Sequence, residues 1–221
     1  SLSAGGEWMA SADLDDGGDI GTIGGEVSVG SRYLWERGRS VGVGLTYSHM
    51  DYSFSDAFGT PGMEPWGTIH SWELGLPVSW ALDDGWALFA VPNLGVASEN
   101  QADLGDALTF GVVLAASRDF GDSLRLGAGA VVSTRIEEDV RVLPVIMLDW
   151  KFADDWRLSS SRGTGAPYGP ALGVFWALNE SWTLGAGFAY RSSRFRLDSD
   201  GPVPDGVGEE SGFPLFVSAA Y

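Results

Sequence analysis

Apolar and polar residues alternate along most of this 221-residue chain. In residues 40–54, Val41, Val43 and Leu45 share one parity, whereas glycine, threonine and serine take most positions of the other. A period of two is the repeat of a β-strand, whose successive side chains point to opposite faces. The pattern predicts strands near residues 1–12, 20–35, 40–54, 68–82, 86–98, 106–117, 123–135, 139–152, 156–163, 170–178, 181–196 and 211–221.

The connections between these predicted strands alternate in length. Most short ones are rich in Asp, Glu, Gly or Asn, as at residues 36–39, 83–85 and 119–122, and longer ones lie between them, as at 55–67 and 197–210. Short turns on one side and long loops on the other are typical of a transmembrane β-barrel. We therefore predict one all-β domain over residues 1–221, an antiparallel up-and-down barrel of about 12 strands with both termini periplasmic.

Aromatic residues mark the short-turn side of the predicted barrel. Each has the parity of the apolar face and lies within a few residues of a short turn or of the C-terminus. Amphipathic rings at one height on an outer surface form the girdle that meets lipid headgroups. The predicted girdle consists of Trp35, Trp80, Trp86, Trp150, Trp156, Trp176, Trp182 and Tyr221. A soluble β-sandwich or β-helix remains the alternative, but a sandwich rarely carries such a ring at one edge.

Over essentially its whole length the chain resembles the bacterial outer-membrane β-barrel superfamily. Its last segment, Phe213–Tyr221, puts Phe213, Leu215, Val217, Ala219 and Tyr221 on one face. This resembles the terminal strand signature that such proteins present to the barrel-assembly machinery, although Phe is the commoner last residue. The segments Trp86–Pro92 and Leu143-Pro144-Val145 resemble uncharacterised, porin-like members. The resemblance implies integral location in the outer membrane of a Gram-negative cell envelope and contact with lipid or lipopolysaccharide; it implies no particular activity.

Composition excludes several classes of function. The chain has no cysteine, so disulfides, thiolate metal sites and cysteine nucleophiles are excluded. Its formal net charge of −17 disfavours nucleic acid as a partner. The mean hydropathy of +0.03 reflects finely mixed polar and apolar residues. No signal peptide is visible at the start, so a barrel of this sequence is expected to be a processed or trimmed chain.

Charged residues with the parity opposite to the apolar face are predicted to line the lumen. Basic residues outnumber acidic ones there, while the excess acid lies in loops such as 13–19 and 198–210. The predicted lumen set is Arg32, Arg125, Arg135, Arg141, Lys151, Arg157, Arg191, Glu26, Glu73 and Asp149. Such charges either select anions in a pore or brace the interior as ion pairs.

We therefore expect a small porin-like channel for diffusion of small solutes, with anions favoured. The first alternative is a structural or assembly barrel whose extracellular loops bind a protein partner. The second is a lipid-active enzyme using His49 or His70, each next to a serine in the sequence. No catalytic residue or cofactor is predicted, since an adjacent serine and histidine on a strand point to opposite faces. No resident metal is predicted either, because loop 13–19 lacks the downstream glutamate of a calcium loop.

Overall fold

The computed structural model describes residues 1–14, 17–160 and 171–220, and it is all-β. Apart from two single-turn 3₁₀ segments, the regular elements of these ranges are strands. No helix in them is long and apolar enough to span a bilayer. The strands are β1 (Leu2–Asp13), β2 (Asp19–Glu36), β3 (Arg39–Ser55), β4 (Thr68–Gly75), β5 (Val78–Ala81), β6 (Trp86–Glu99), β7 (Leu108–Phe120), β8 (Leu124–Arg135), β9 (Glu138–Ala153), β10 (Trp156–Ser159), β11 (Ala171–Ala177), β12 (Thr183–Ala189), β13 (Arg191–Arg196), β14 (Val207–Gly212) and β15 (Leu215–Ala220).

One antiparallel sheet follows the order of the chain. Its path is β1-β2-β3-β4-β6-β7-β8-β9-β10-β11-β12-β15, so twelve strands lie side by side in the order of an up-and-down meander. The prediction of an all-β antiparallel fold with about twelve strands in sequence is confirmed. The three remaining strands, β5, β13 and β14, lie off this path.

The predicted strand at residues 68–82 is divided into β4 and β5 by a proline. Pro77 has no N–H to donate to a neighbouring strand, which interrupts the ladder. Hydrogen bonds continue across the break, because Gly42 N donates to Pro77 O at 2.8 Å and Leu76 N donates to Pro92 O at 2.9 Å. Both halves pair with β3 and β6, so they occupy one place in the sheet.

The two faces of the sheet differ as the alternation requires. Apolar residues of one parity, such as Val41, Val43 and Leu45, are exposed along β3, and the intervening Gly42 and Gly44 lie on the other face. Exposed large apolar side chains continue across the strands from Leu2 to Val217. An apolar surface of this extent is far larger than the patches that monomeric soluble proteins expose.

The chain leaves the sheet after β12 and returns to it at β15. Between them β13 and β14 form an antiparallel hairpin, with Arg191 opposite Gly212 and Arg196 opposite Val207. Pro214 interrupts the return, and Ala189 N donates to Pro214 O at 3.0 Å where β12 and β15 meet again. Residues 191–212 are hereafter called the interior hairpin.

The interior hairpin shows that the sheet is strongly curved. Its Arg196 pairs in parallel with Ser98 of β6. Arg191, two residues beyond β12, donates to Glu7 of β1. Along the path β1 is first and β12 is eleventh, and ten strand spacings in a flat sheet amount to about 48 Å. Two residues and two side chains reach far less than that, so β1 and β12 lie closer than a flat sheet allows.

The main buried apolar cluster lies where the interior hairpin meets β3, β4 and β6. Phe195 is 0 % exposed and packs with Ile69 and Leu197, and Tyr52 and Trp66 cover the cluster. The Trp66 ring meets those of Phe195 and Tyr52 edge-on, at centroid distances of 5.5 and 5.9 Å. The hairpin is therefore anchored by an apolar core at the long-loop end.

Candidate functional site: the interior hairpin and its ion pairs

Hydrogen bonds close the interior hairpin and attach its tip to the sheet. Leu197 N donates to Gly206 O at 2.9 Å, which closes the hairpin beyond its last strand pair. The connecting loop is held by Asp198, whose carboxylate accepts a bond of 2.8 Å from the backbone N–H of Asp200. Asp198 N in turn donates to Glu99 Oε2 at 2.9 Å, so the tip of the hairpin is attached to the end of β6.

Arg191 joins the base of the hairpin to the first strand. Its guanidinium donates to the carboxylate of Glu7 on β1. Arg191 is therefore held as an ion pair inside the curved sheet.

Arg194 and Arg135 form a four-membered network with Glu138 and Glu209. Each arginine donates to both carboxylates; the contact from Arg135 to Glu209 is 2.5 Å and that from Arg194 to Glu209 is 3.2 Å. Arg135 and Glu138 flank the β8–β9 turn, whereas Arg194 and Glu209 belong to the hairpin. The network therefore attaches the hairpin to that turn.

Arg196 is the most buried charge of the site, with 5 % exposure. Its guanidinium donates to Glu137 Oε1 at 2.6 Å, to Asp205 O at 2.8 Å and to Asp106 O at 3.4 Å. These acceptors come from the β8–β9 turn, the hairpin loop and the β6–β7 loop. One side chain thus joins three segments of the long-loop end.

Arg141 differs from the other arginines that contact the hairpin. It donates to Ser192 Oγ at 2.8 Å and to Tyr190 Oη at 3.2 Å. Its ring contact is also with Tyr190, at 6.0 Å. Within residues 1–14, 17–160 and 171–220, no carboxylate lies within 4.0 Å of its guanidinium, so its charge is not neutralised by a direct ion pair.

The remaining residues of the predicted lumen set are spread over the sheet. Arg125 is bidentate on Asp119 at 2.5 and 3.1 Å, and Arg157 donates to Asp149 at 2.6 Å. Glu73 and Glu26 accept hydrogen bonds from neutral donors instead of arginine: Glu73 from Asn93 at 3.0 Å, and Glu26 from Ser28 at 3.4 Å. Lys151 lies 3.9 Å from Asp154. Arg32 is exposed on β2.

Charges of opposite sign are concentrated on different parts of the sheet. Glu7, Glu26 and Glu73 belong to β1, β2 and β4, whereas the basic residues Arg125, Arg135, Arg141, Lys151 and Arg157 belong to β8, β9 and β10; Arg32 on β2 and Asp149 on β9 are the exceptions. These two groups of strands lie at separate places along the twelve-strand path. The acidic and basic groups are thus separated along the sheet.

The predicted girdle tryptophans lie at the short-turn edge. Trp35, Trp80, Trp86, Trp150, Trp156, Trp176 and Trp182 are each between 37 and 44 % exposed. Trp156 and Trp176 are stacked at 5.7 Å, and Trp35 and Trp80 lie 6.0 Å apart. Tyr221, the eighth predicted member, lies outside the described residues.

The two histidines face each other on β3 and β4. His49 is opposite His70, and their rings are stacked at 6.4 Å. His49 Nε2 lies 3.2 Å from Asp51 Oδ2, and His70 Nδ1 lies 2.8 Å from Tyr47 Oη. Within the described ranges, no three His, Asp or Glu side chains are grouped to hold a metal ion. The lipid-active enzyme stays a hypothesis for this pair.

Sequence reasoning missed most of the interior hairpin. It treated residues 181–196 as one wall strand and 197–210 as a loop, whereas the strand breaks at Tyr190 and β14 begins at Val207. Arg194 and Arg196 were the available signal. Both have the parity of the exposed apolar residues of β12, and a charge on that face is costly in a predicted membrane strand.

Together these features define an all-β protein with one curved antiparallel sheet around an ion-paired hairpin. Residues 37–199 match the family described as Domain of unknown function (DUF6268), and the chain belongs to that family. The match runs from the β2–β3 turn to just past β13, so it includes the arginines of the hairpin. No curated protein shows significant sequence similarity to the chain.

Proposed function

We propose that the chain is an outer-membrane β-barrel whose wall closes between β1 and β15, with both termini on the periplasmic side. The exposed apolar face supports insertion in a bilayer, and the tryptophans at the short-turn edge suit one headgroup level. Closure follows from the same premise. An open sheet edge in hydrocarbon would leave backbone N–H and C=O groups without partners.

The proposed function is that of a small porin-like channel that passes small solutes and favours anions. The observation that carries it is Arg141 on β9, a basic residue of the predicted lumen set that contacts hydroxyl groups and has no carboxylate within 4.0 Å in the described residues. A basic side chain that lines a pore without a neutralising carboxylate favours anions. The interior hairpin narrows the long-loop mouth, so the open state is of low conductance.

Planar-bilayer recordings of the purified, refolded chain test this function. We expect small, discrete conductance steps. In a salt gradient we expect a reversal potential whose sign shows that anions permeate more readily than cations. Absence of steps from protein that is inserted in the bilayer would overturn the channel. A reversal potential on the cation side would overturn the anion preference alone. Co-flotation with liposomes, measured on the same preparation, establishes insertion independently of conductance.

A second function, a structural or assembly barrel whose extracellular loops bind a protein partner, is favoured by the hairpin contacts. Arg191, Arg194 and Arg196 each engage carboxylates on other segments, so the mouth is braced from several sides. A barrel closed in this way conducts little and presents an ordered acidic surface. This function would be favoured over the channel by two results together. The inserted protein would show no conductance, and cross-linking on cells would capture a surface partner bound to it.

A further inference from the structure

A shallow apolar groove runs across the outer face of β5, β6, β7 and β8. Its volume is about 440 Å³, which falls within the roughly 300–1,000 Å³ typical of ligand pockets. Larger side chains at Trp80, Leu88 and Leu114 border it, and alanines such as Ala116 and Ala128 form its floor. Ala116 lies between Leu88 and Ala128 in the sheet, so the depression results from small residues set between large ones.

Arg118 lies at the end of this groove that is next to the short β5–β6 and β7–β8 turns. It follows Ala116 by two residues on β7 and therefore shares its outward face. It is paired with Trp86 on β6, and its guanidinium carbon lies 5.7 Å from the ring of Trp86 and 5.6 Å from that of Phe120. Cation–π contacts of this kind hold the guanidinium at the height of the tryptophans.

Arg118 has no ion-pair partner in the described part of the chain. No carboxylate there lies within 4.0 Å of its guanidinium, and neighbouring Asp119 is already occupied by Arg125 at 2.5 and 3.1 Å. Arg39 provides the contrast at the same edge. It stacks over Trp80 at 4.5 Å, but it is also neutralised by Glu36 at 2.5 Å.

We propose that the groove and Arg118 form a binding site for one glycerophospholipid, with an acyl chain in the groove and the phosphate on Arg118. The argument is charge complementarity. An exposed, uncompensated guanidinium on a chain of net charge −17 adjoins an apolar groove, and guanidinium binds phosphate through two parallel hydrogen bonds. This site rests on the proposed membrane location, in which the short-turn edge meets the periplasmic, phospholipid leaflet.

Native mass spectrometry in detergent with added phosphatidylglycerol tests the site. We expect the chain to retain one lipid, and Arg118→Gln to weaken retention about tenfold, since the charge-assisted hydrogen bonds to the phosphate are lost. Filling the groove with Ala116→Leu is expected to have a similar effect. Arg39→Gln, which removes the neutralised arginine, is the matched control and should retain lipid as the parent does.

The outcomes separate this site from the proposed function. If Arg118→Gln and Ala116→Leu retain lipid as the parent does, the lipid site is wrong, whatever the result of the liposome assay. If the groove instead binds a second copy, a lipid-free dimer that Ala116→Leu dissociates will appear, and this also overturns the site. Failure of the parent to float with liposomes overturns the membrane location and the lipid site together.

Discussion

The guanidinium of Arg191 and the carboxylate of Glu7 form an ion pair between residues 184 positions apart. The pair connects the base of the interior hairpin to the first strand of the sheet. Charge-assisted hydrogen bonds contribute roughly 1.5–3 kcal/mol, so their loss shifts an opening equilibrium about tenfold or more. The position of the hairpin therefore depends on a strand that is far away in the sequence.

Removal of this ion pair is expected to loosen the hairpin without unfolding the sheet. In Glu7→Gln, hydrogen exchange of residues 191–212 should accelerate about tenfold, whereas exchange in β6–β9 stays unchanged. Glu36→Gln is the matched control, because it breaks an exposed pair at a short turn instead. Unchanged exchange in the hairpin of Glu7→Gln would show that the pair does not hold it.

The apolar anchor is expected to matter more than any single ion pair. Phe195 is completely buried, and truncation of such a phenylalanine to alanine costs roughly 3–5 kcal/mol. In Phe195→Ala we expect fast exchange throughout residues 191–212. Phe110→Ala removes an exposed ring on β7 and serves as the control. Equal protection of the hairpin in both variants would contradict the anchor.

Arg141 and Arg125 are expected to differ in their effect on ion selectivity. Arg125 is neutralised by Asp119 through two hydrogen bonds, whereas Arg141 contacts only hydroxyl groups of Tyr190 and Ser192 through the bonds described. Arg141→Ala should therefore reduce the anion preference measured by reversal potential, and Arg125→Ala should change it little. The opposite ranking would mean that the direct ion pairs do not decide selectivity.

Closure of the wall predicts that β1 and β15 are neighbours. Their outward residues include Gly6 and Trp8 on β1 and Val217 and Ala219 on β15. Directly opposed antiparallel residues have Cα atoms about 4.5–5.5 Å apart, which a disulfide spans. The chain has no native cysteine, so introduced pairs can be read without background.

We expect Gly6→Cys to form an intramolecular disulfide with Val217→Cys or with Ala219→Cys. Gly6→Cys with Phe216→Cys is the control, since Phe216 has the opposite parity and its side chain points to the other face. Non-reducing electrophoresis reads the cross-link as a mobility shift. Cross-links that form only between molecules would indicate an open sheet rather than a closed wall.

Alternation alone predicted the long, uninterrupted strands. At Val41, Val43 and Leu45 the local pattern agrees with the exposed face that these residues take in the sheet, because the turns at both ends fix the register. The break at Tyr190 could not be read in the same way. Arg194 and Arg196 continue a period of two, and only their partners Glu138, Glu209 and Glu137 show that this strand leaves the sheet.

The hydrogen-bond partners of the predicted lumen charges could not be predicted from the sequence either. Parity places Arg135 and Arg141 on one face, but it does not specify which acceptors the turns and hairpin bring to them. Glu137 belongs to the short β8–β9 turn, Glu138 begins β9, and Glu209 belongs to a segment predicted as loop. Their meeting depends on the curvature of the whole sheet, which local periodicity does not encode.

Removal of the interior hairpin tests the central claim most directly. The rings of Tyr190 and Phe213 lie 5.3 Å apart, so residues 191–212 can be replaced by an Asn-Gly turn that joins β12 to β15. If the hairpin narrows the mouth of a channel, the single-channel conductance of this variant in planar bilayers should be several-fold larger than that of the intact chain. Equal conductance of the two folded, inserted proteins, or none from either, would contradict it.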